Sequence, residues 1–189
     1  MMSGTEQTEI SELPCYVAGK EMGSELLDVH YPYTGEVIGR VRQVDRSDLE
    51  NALGSTKPVE MSRWDRHEVL NKARTLLDER SEEFAQLIRS ESGLCMRETR
   101  YEVGRAQDVL QFAAMESLRD DGQIFSCDVS PQGKARKIFT VREPLNLVVA
   151  ITPFNHPLNQ VAHKLAPAIA AGAPVILKPS EKTPLTALR

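Results

Sequence analysis

"LNLVVAITPFNHPLNQVAHKLAPAIAAGAPVILKPSE", residues 145–181, is the stretch on which the fold turns. "LNLVVAI" is β-branched, uncharged and bounded by Pro144 and Pro153. Such a run reads as a strand buried on both faces, and therefore as part of a parallel sheet. "PLNQVAHKLAPAIAAG" reads as a helix. Pro157 suits its first position, where a missing N–H is harmless, and Gly172 closes it. "APVILKPSE" is a second buried strand. The unit is strand–helix–strand, expected to be parallel with a right-handed crossover.

An acidic residue just past the second strand, here Glu181, is half of a dinucleotide-binding signature, since it can hold ribose hydroxyls. The other half would be G-x-G-x-x-G at the first strand-to-helix turn. This turn reads T-P-F-N-H-P, with no glycine. Proline and phenylalanine would hold a pyrophosphate away from the backbone. Either no nucleotide binds, or it binds elsewhere along the strand ends and leaves this turn another task.

Asn155 sits in that turn, outside the carboxyl end of a parallel strand, where open α/β sheets bind ligands. It also lies at a helix N-terminus, where free N–H groups and the macrodipole favour negative charge. Two readings stand side by side. The amide on its proline-stiffened corner donates to a developing oxyanion, or it caps the helix.

Working outward, residues 1–12 are polar and read as a disordered tail. Residues 13–43 hold short β-like runs with turns between them, including Thr34-Gly35, and read as an antiparallel hairpin region. Residues 44–119 read helical throughout. An Asp/Ser cap opens "DRSDLENALGST". Trp64, Val69, Leu70, Ala73, Leu76 and Leu77 form one apolar stripe. A capping-box pattern begins at Ser81, with a stop at Gly93. Val103, Ala106, Val109, Leu110, Ala113 and Ala114 share one buried side of a last helix that stops at Gly122. "KARKIFTVREP" reads as a strand. A helix starts at Thr183 or Pro184 and has no stop signal, which suggests a piece of a longer protein.

The bulk properties exclude some classes. The chain has 189 residues, 41% apolar and 26% charged, with a net charge of −4. An acidic chain does not invite nucleic acid. No run approaches the roughly 18 apolar residues of a membrane span, so no membrane role is expected. The N-terminus lacks the basic-then-apolar pattern of a signal peptide, and cytoplasm is the expected compartment. Cys15, Cys95 and Cys127 fit neither a disulfide framework nor a zinc site, and no metal is expected.

Three motifs follow one another at residues 153–157 (Pro-Phe-Asn-His-Pro), 164–172 (Lys-x-x-Pro-Ala-Ile-Ala-x-Gly) and 178–181 (Lys-Pro-Ser-Glu). In this order they resemble the aldehyde dehydrogenase superfamily. "YPYTGEVIGRV" and "EVGRAQDVLQFAA" agree more loosely. The resemblance implies an α/β fold with an incomplete Rossmann-type parallel sheet, N-terminal β-hairpins and a helical segment. It divides the chain into a hairpin and helical part of a cofactor-binding domain (13–121), bridging or oligomerisation strands (122–143) and the truncated start of an NAD-binding βαβ core (144–189). Asn155 resembles the family's oxyanion-hole asparagine. Lys178 and Glu181 resemble its adenosine-ribose ligands. Ile151, Thr152, Pro153 and Phe154 resemble the strand end on the nicotinamide-ribose side, and Lys164 a lysine sometimes placed in a proton path. Glu181 favours NAD, because a carboxylate at the 2′ position repels an added phosphate, although Lys178 leaves NADP possible. The implied chemistry is thiolate attack, hydride transfer to NAD and thioester hydrolysis. The family's cysteine and glutamate motifs do not occur in these residues, so the chain alone is expected to be inactive, and the full protein a homo-oligomer.

Arg105 lies on the helix that lines the substrate tunnel in the family, and His156 follows Asn155. Together they would suit carboxylate, phosphonate or phosphate. The closest resemblance is to phosphonoacetaldehyde dehydrogenases and neighbouring acid-aldehyde dehydrogenases. Plainer roles stand beside these. Arg105 would pair with Glu102 or Asp108 on its own helix, His156 would cap, and His163 would pack in the core. His30 and His67 carry no signal. The expected function is oxidation of a small anionic aldehyde. The alternatives are a non-catalytic oligomerisation relative and an NADP-linked enzyme for neutral aldehydes.

Overall fold

The computed structural model describes residues 11–57, 60–119 and 122–189. The polar tail expected over 1–12 lies almost wholly outside these residues; at its end Glu12 already belongs to a strand. The N-terminal part holds β1 (Glu12–Leu13), β2 (Cys15–Val17), β3 (Lys20–Met22), β4 (Glu25–His30) and β5 (Val37–Gln43). β2 with β3 and β4 with β5 are the expected antiparallel hairpins, while β1 runs parallel to β5 on its other edge.

Four helices follow: α1 (Arg46–Ser55), α2 (Arg63–Glu79), α3 (Ser81–Ser92) and α4 (Met96–Glu116). Asp45 with Asp48 and Ser62 with Asp65 form reciprocal capping boxes that start α1 and α2. The box expected at Ser81 does not form, because α3 follows α2 after the single residue Arg80 and Ser81 is already helical. Arg80 instead reaches Glu83 with two hydrogen bonds of 2.8 Å. α4 ends at Glu116, short of the expected stop at Gly122, with Ser117 as its C-cap. In the bridging stretch only β6 (Ile124–Phe125) and β7 (Ile138–Phe139) pair, antiparallel.

The last part is the strand–helix–strand unit: β8 (Val148–Ile151), α5 (Pro157–Ala171), β9 (Val175–Lys178), then a short α6 (Leu185–Leu188). β8 and β9 are parallel as expected, with Ile151 opposite Lys178. They are not buried on both faces. Val149 and Ile151 are 59% and 62% exposed, because within the described residues α5 covers only one face of a two-stranded sheet.

The core joins the helical layer to this unit. Leu77, Phe84, Ile88 and Val103 pack with Leu158 and Ala162 of α5. Leu70, Ala113 and Ala114 pack with Ala166. Alanines at the α4–α5 seam let the two backbones approach closely. A third cluster sets Leu185 of α6 against Val29 and Val41 of the hairpin. A Cβ on Gly39 would lie 2.8 Å from a Leu185 methyl, so any larger residue at this strand position must displace the buried Leu185 side chain. Gly39→Ala should therefore destabilise the fold by about 1–3 kcal/mol, the range for overpacking, measured as a lower urea midpoint at unchanged slope.

Candidate functional site at the carboxyl ends of β8 and β9

The parallel pairing of β8 and β9 sets their carboxyl ends side by side. The ladder continues one step beyond β8, where the Thr152 amide donates to the Lys178 carbonyl at 3.2 Å. Thr152 is buried, while Ile151, Pro153, Phe154 and Asn155 are exposed around it. Past β9, Lys178 Nζ lies 3.4 Å from Glu181 Oε2. The amide of Glu181 itself, and then Lys178, hold the Glu181 carboxyl below its ordinary range. Thr183 Oγ1 donates to the Phe154 carbonyl at 3.3 Å, and Lys182 Nζ stands 4.9 Å above the Phe154 ring. The fold thus brings Ile151, Thr152, Pro153, Phe154, Lys178 and Glu181 onto one edge. These residues fit a dinucleotide ribose: two strand ends, an exposed apolar platform, an ammonium and an ionised carboxylate.

Asn155 does not cap α5. The N-cap position is occupied by His156, whose side chain makes no capping bond either. The cap comes from another helix. Glu102 of α4 turns its carboxylate into the start of α5, where Oε1 accepts from the amides of Leu158 at 2.9 Å and Asn159 at 3.0 Å. Its Oε2 lies 3.3 Å from His156 Nδ1. Glu102 is 2% exposed and His156 half-buried. This corrects two expectations. Glu102 is not a solvated partner for Arg105, because it is buried and fully engaged at α5. The N-terminus of α5 is also not free for a foreign anion, because Glu102 already takes two amides and offsets the dipole. The Asn155 amide is exposed and has no protein partner among the described residues.

Arg105 is exposed one turn beyond Glu102 on α4, with its guanidinium carbon 5.9 Å from the Tyr101 ring and no carboxylate partner among the described residues. His163 is exposed on α5 rather than packed in the core, and Lys164 is half-buried. His163 and Phe112 border an open groove of about 890 Å³ between α2, α4 and α5. That groove includes none of Asn155, Lys178 or Glu181, so the candidate site is set by the strand ends and not by cavity size. Cys15, Cys95 and Cys127 are free thiols on other elements. The described residues hold no cluster suited to a metal ion and no helix long and apolar enough to cross a membrane.

The residues the sequence reading missed are buried acids. Besides Glu102, Glu91 of α3 accepts from the amides of Leu185 at 2.7 Å and Thr186 at 3.0 Å, at the start of α6. The available signal was a glutamate beside an apolar stripe, since a buried carboxylate must find donors.

The family model of the aldehyde dehydrogenase family matches residues 16–189. A 3-sulfolactaldehyde dehydrogenase of Priestia aryabhattai is 40% identical over 189 residues, covering 98% of this chain and 40% of that protein. The structure of aldehyde dehydrogenase 21 from Physcomitrella patens, in complex with the reaction product succinate, superposes with a TM-score of 0.90 at 36% identity, over 95% of this chain and 39% of that one. The structure of an NADP-dependent glyceraldehyde-3-phosphate dehydrogenase from Bacillus halodurans, complexed with NADP, gives 0.88 at 27% identity, over 94% of this chain and 39% of that one. The chain therefore spans about two fifths of the length of these relatives.

Burial, aided by the nearby charge of Glu102, pushes the Glu91 carboxyl up to about 7, against three hydrogen bonds from Thr186 and Leu185. The folded value lies above the ordinary 4.5, so the stability this group contributes is complete below about pH 4.5 and is lost as pH rises through about 7. The span is worth about 3 kcal/mol. Urea titrations across pH 4–8 should show this decline, on the order of that size, and Glu91→Gln should flatten it.

Proposed function

The chain belongs to the aldehyde dehydrogenase family, and from that premise we propose that the whole protein oxidises a small aldehyde with an anionic tail, using NAD. The observation that carries this reading is the Asn155 amide, without a partner among the described residues, on an exposed corner whose helix is capped from behind by Glu102. An amide that is neither a cap nor a structural partner is available to a ligand.

The cofactor, when bound, supplies the acceptor for the aldehyde hydride. Lys178 and Glu181 would hold its adenosine ribose, and Ile151, Thr152, Pro153 and Phe154 would form the wall on the nicotinamide side. Glu181, held ionised, disfavours a 2′-phosphate; Lys178 beside it offsets part of that repulsion, so NADP is tolerated rather than excluded. Asn155 Nδ2 donates to the aldehyde oxygen as negative charge grows there, and it is fixed in place before the reaction starts. The attacking thiol would come from outside these residues, since Cys15 lies in β2, Cys95 at the N-cap of α4 and Cys127 after β6.

Arg105 and His156 carry the substrate preference. Arg105 stands on α4 and His156 at the start of α5, two helices that pack together, and Arg105 has no carboxylate partner among the described residues. The relatives named above act on or bind 3-sulfolactaldehyde, succinate and glyceraldehyde 3-phosphate, all bearing an acidic group. Phosphonoacetaldehyde is the probe that matches this charge with the least added structure. Solubility in the cytoplasm and assembly into a homo-oligomer belong to the same proposal.

In the full-length protein, Asn155→Ala should lower kcat about 10²–10³-fold at unchanged cofactor affinity. Arg105→Ala should raise KM for phosphonoacetaldehyde and leave propionaldehyde unaffected. Both are read from the rate of nicotinamide reduction. Equal losses on the two aldehydes would remove the anion-tail assignment, and no turnover of any aldehyde by the unaltered protein would remove the function.

A further inference from the structure

Resting on that reading of the corner, we infer that Glu102 is the positioning residue of the site, aiming Asn155 through the start of α5 and setting the donor pattern of His156 through its second oxygen. Its two oxygens divide the work. Oε1 accepts from both Leu158 and Asn159, and Oε2 faces His156 Nδ1. The residues it touches, His156, Leu158 and Asn159, follow directly on Asn155. The corner is thus tied behind Asn155 by Glu102, and ahead of it by the Thr152–Lys178 ladder bond and the Thr183–Phe154 bond. α5 supplies no side-chain cap of its own. Glu102 is therefore the only side chain among the described residues that bonds the first amides of this helix.

The His156 contact has its own consequence. An acceptor at Nδ1 keeps the proton on that nitrogen, so Nε2 faces away from Glu102 as the variable position. Neutral, it accepts; protonated, it donates to an acidic tail. Glu102 in this way links the oxyanion donor and the tail-binding histidine without touching substrate.

A purely structural role would also place an acid here, and the two differ in what they move. A misplacement of about 1 Å in a reacting group lowers rate about 10²-fold without loss of folding. In the full-length protein, Glu102→Ala should lower kcat by about 10²-fold on charged and neutral aldehydes alike, with cofactor affinity unchanged. Combined with Asn155→Ala it should be no slower than Asn155→Ala alone, because both act through one amide. Glu102→Gln keeps an oxygen for the two α5 amides but presents an NH₂ group to His156. It should retain kcat on propionaldehyde and raise KM for phosphonoacetaldehyde about tenfold. Hydrogen exchange at the Leu158 and Asn159 amides reads the clamp without any turnover and should quicken in Glu102→Ala. Additive losses in the double variant, unchanged kcat in Glu102→Ala, or unchanged exchange would overturn the inference. If Glu102→Ala does not fold, the KM split in Glu102→Gln decides, and its absence overturns the assignment. Quickened exchange in a protein that oxidises no aldehyde would overturn the proposed function and leave the clamp standing.

Discussion

A carboxylate taken out of water must be met by donors, and Glu102 meets this requirement at the start of a helix, where donors are to spare. The first amides of any helix have no partner within it. α5 begins with His156 at its N-cap, without a side-chain bond, and with Pro157, which has no N–H. Leu158 and Asn159 are left facing inward, and Glu102 reaches them from a helix more than 50 residues earlier. The need is mutual: the acid cannot stay buried without the amides, and the amides cannot stay buried without the acid. Leaving one side of such a contact buried and unsatisfied costs about 1–3 kcal/mol, more than an exposed ion pair contributes.

This lock works only because α4 and α5 lie close together, and alanines make that possible. Ala106, Ala113 and Ala114 face Ala162 and Ala166 across the seam. Larger side chains would push the helices apart and leave the carboxylate short of its amides. Apolar packing therefore sets the distance, and the polar contact sets the direction. The same pairing of packing with an acid recurs at α6, where Leu185 fills the space over Gly39 and Glu91 takes the helix amides. Both corners at the strand ends are held from the helical layer in this way.

The strand–helix–strand unit was legible because its punctuation is local. Pro144, Pro153, Pro157 and Gly172 each act on their own neighbourhood, and the structure keeps β8, α5 and β9 where those residues place them. The order of residues also brought the ribose and strand-end candidates onto one edge, since parallel register carries Ile151 to Lys178. What the sequence could not reveal was which surface each residue would meet. Glu102 sits one turn from Arg105, and a local rule pairs them; its partners lie more than 50 residues away, beyond any window of periodicity. His163 looks like a core residue on an apolar helix, yet the buried side of α5 is set by α4, and His163 falls outside it. Burial of β8 depends on what covers each face of the sheet, and here α5 covers only one.

The corner has no glycine because the cap comes from behind. In a glycine-rich turn the helix amides point at a phosphate, and side chains are removed to admit it. Here Glu102 occupies those amides, so their positive character is already answered and the turn has no anion of its own to cradle. Any negative charge arising outside the corner must be met by a side chain, and Asn155 is the uncommitted amide in the turn. Phe154 shows how firmly that amide is framed. Its carbonyl is held by Thr183 and its ring by Lys182, both from the loop that carries Glu181. The peptide between Phe154 and Asn155 is therefore where the ribose side of the site and the aldehyde side share one piece of backbone. An exposed amide on a free loop would lose its aim to thermal motion. On a segment held at Phe154 from one side and at Leu158 from the other, it keeps a direction while remaining open to a ligand.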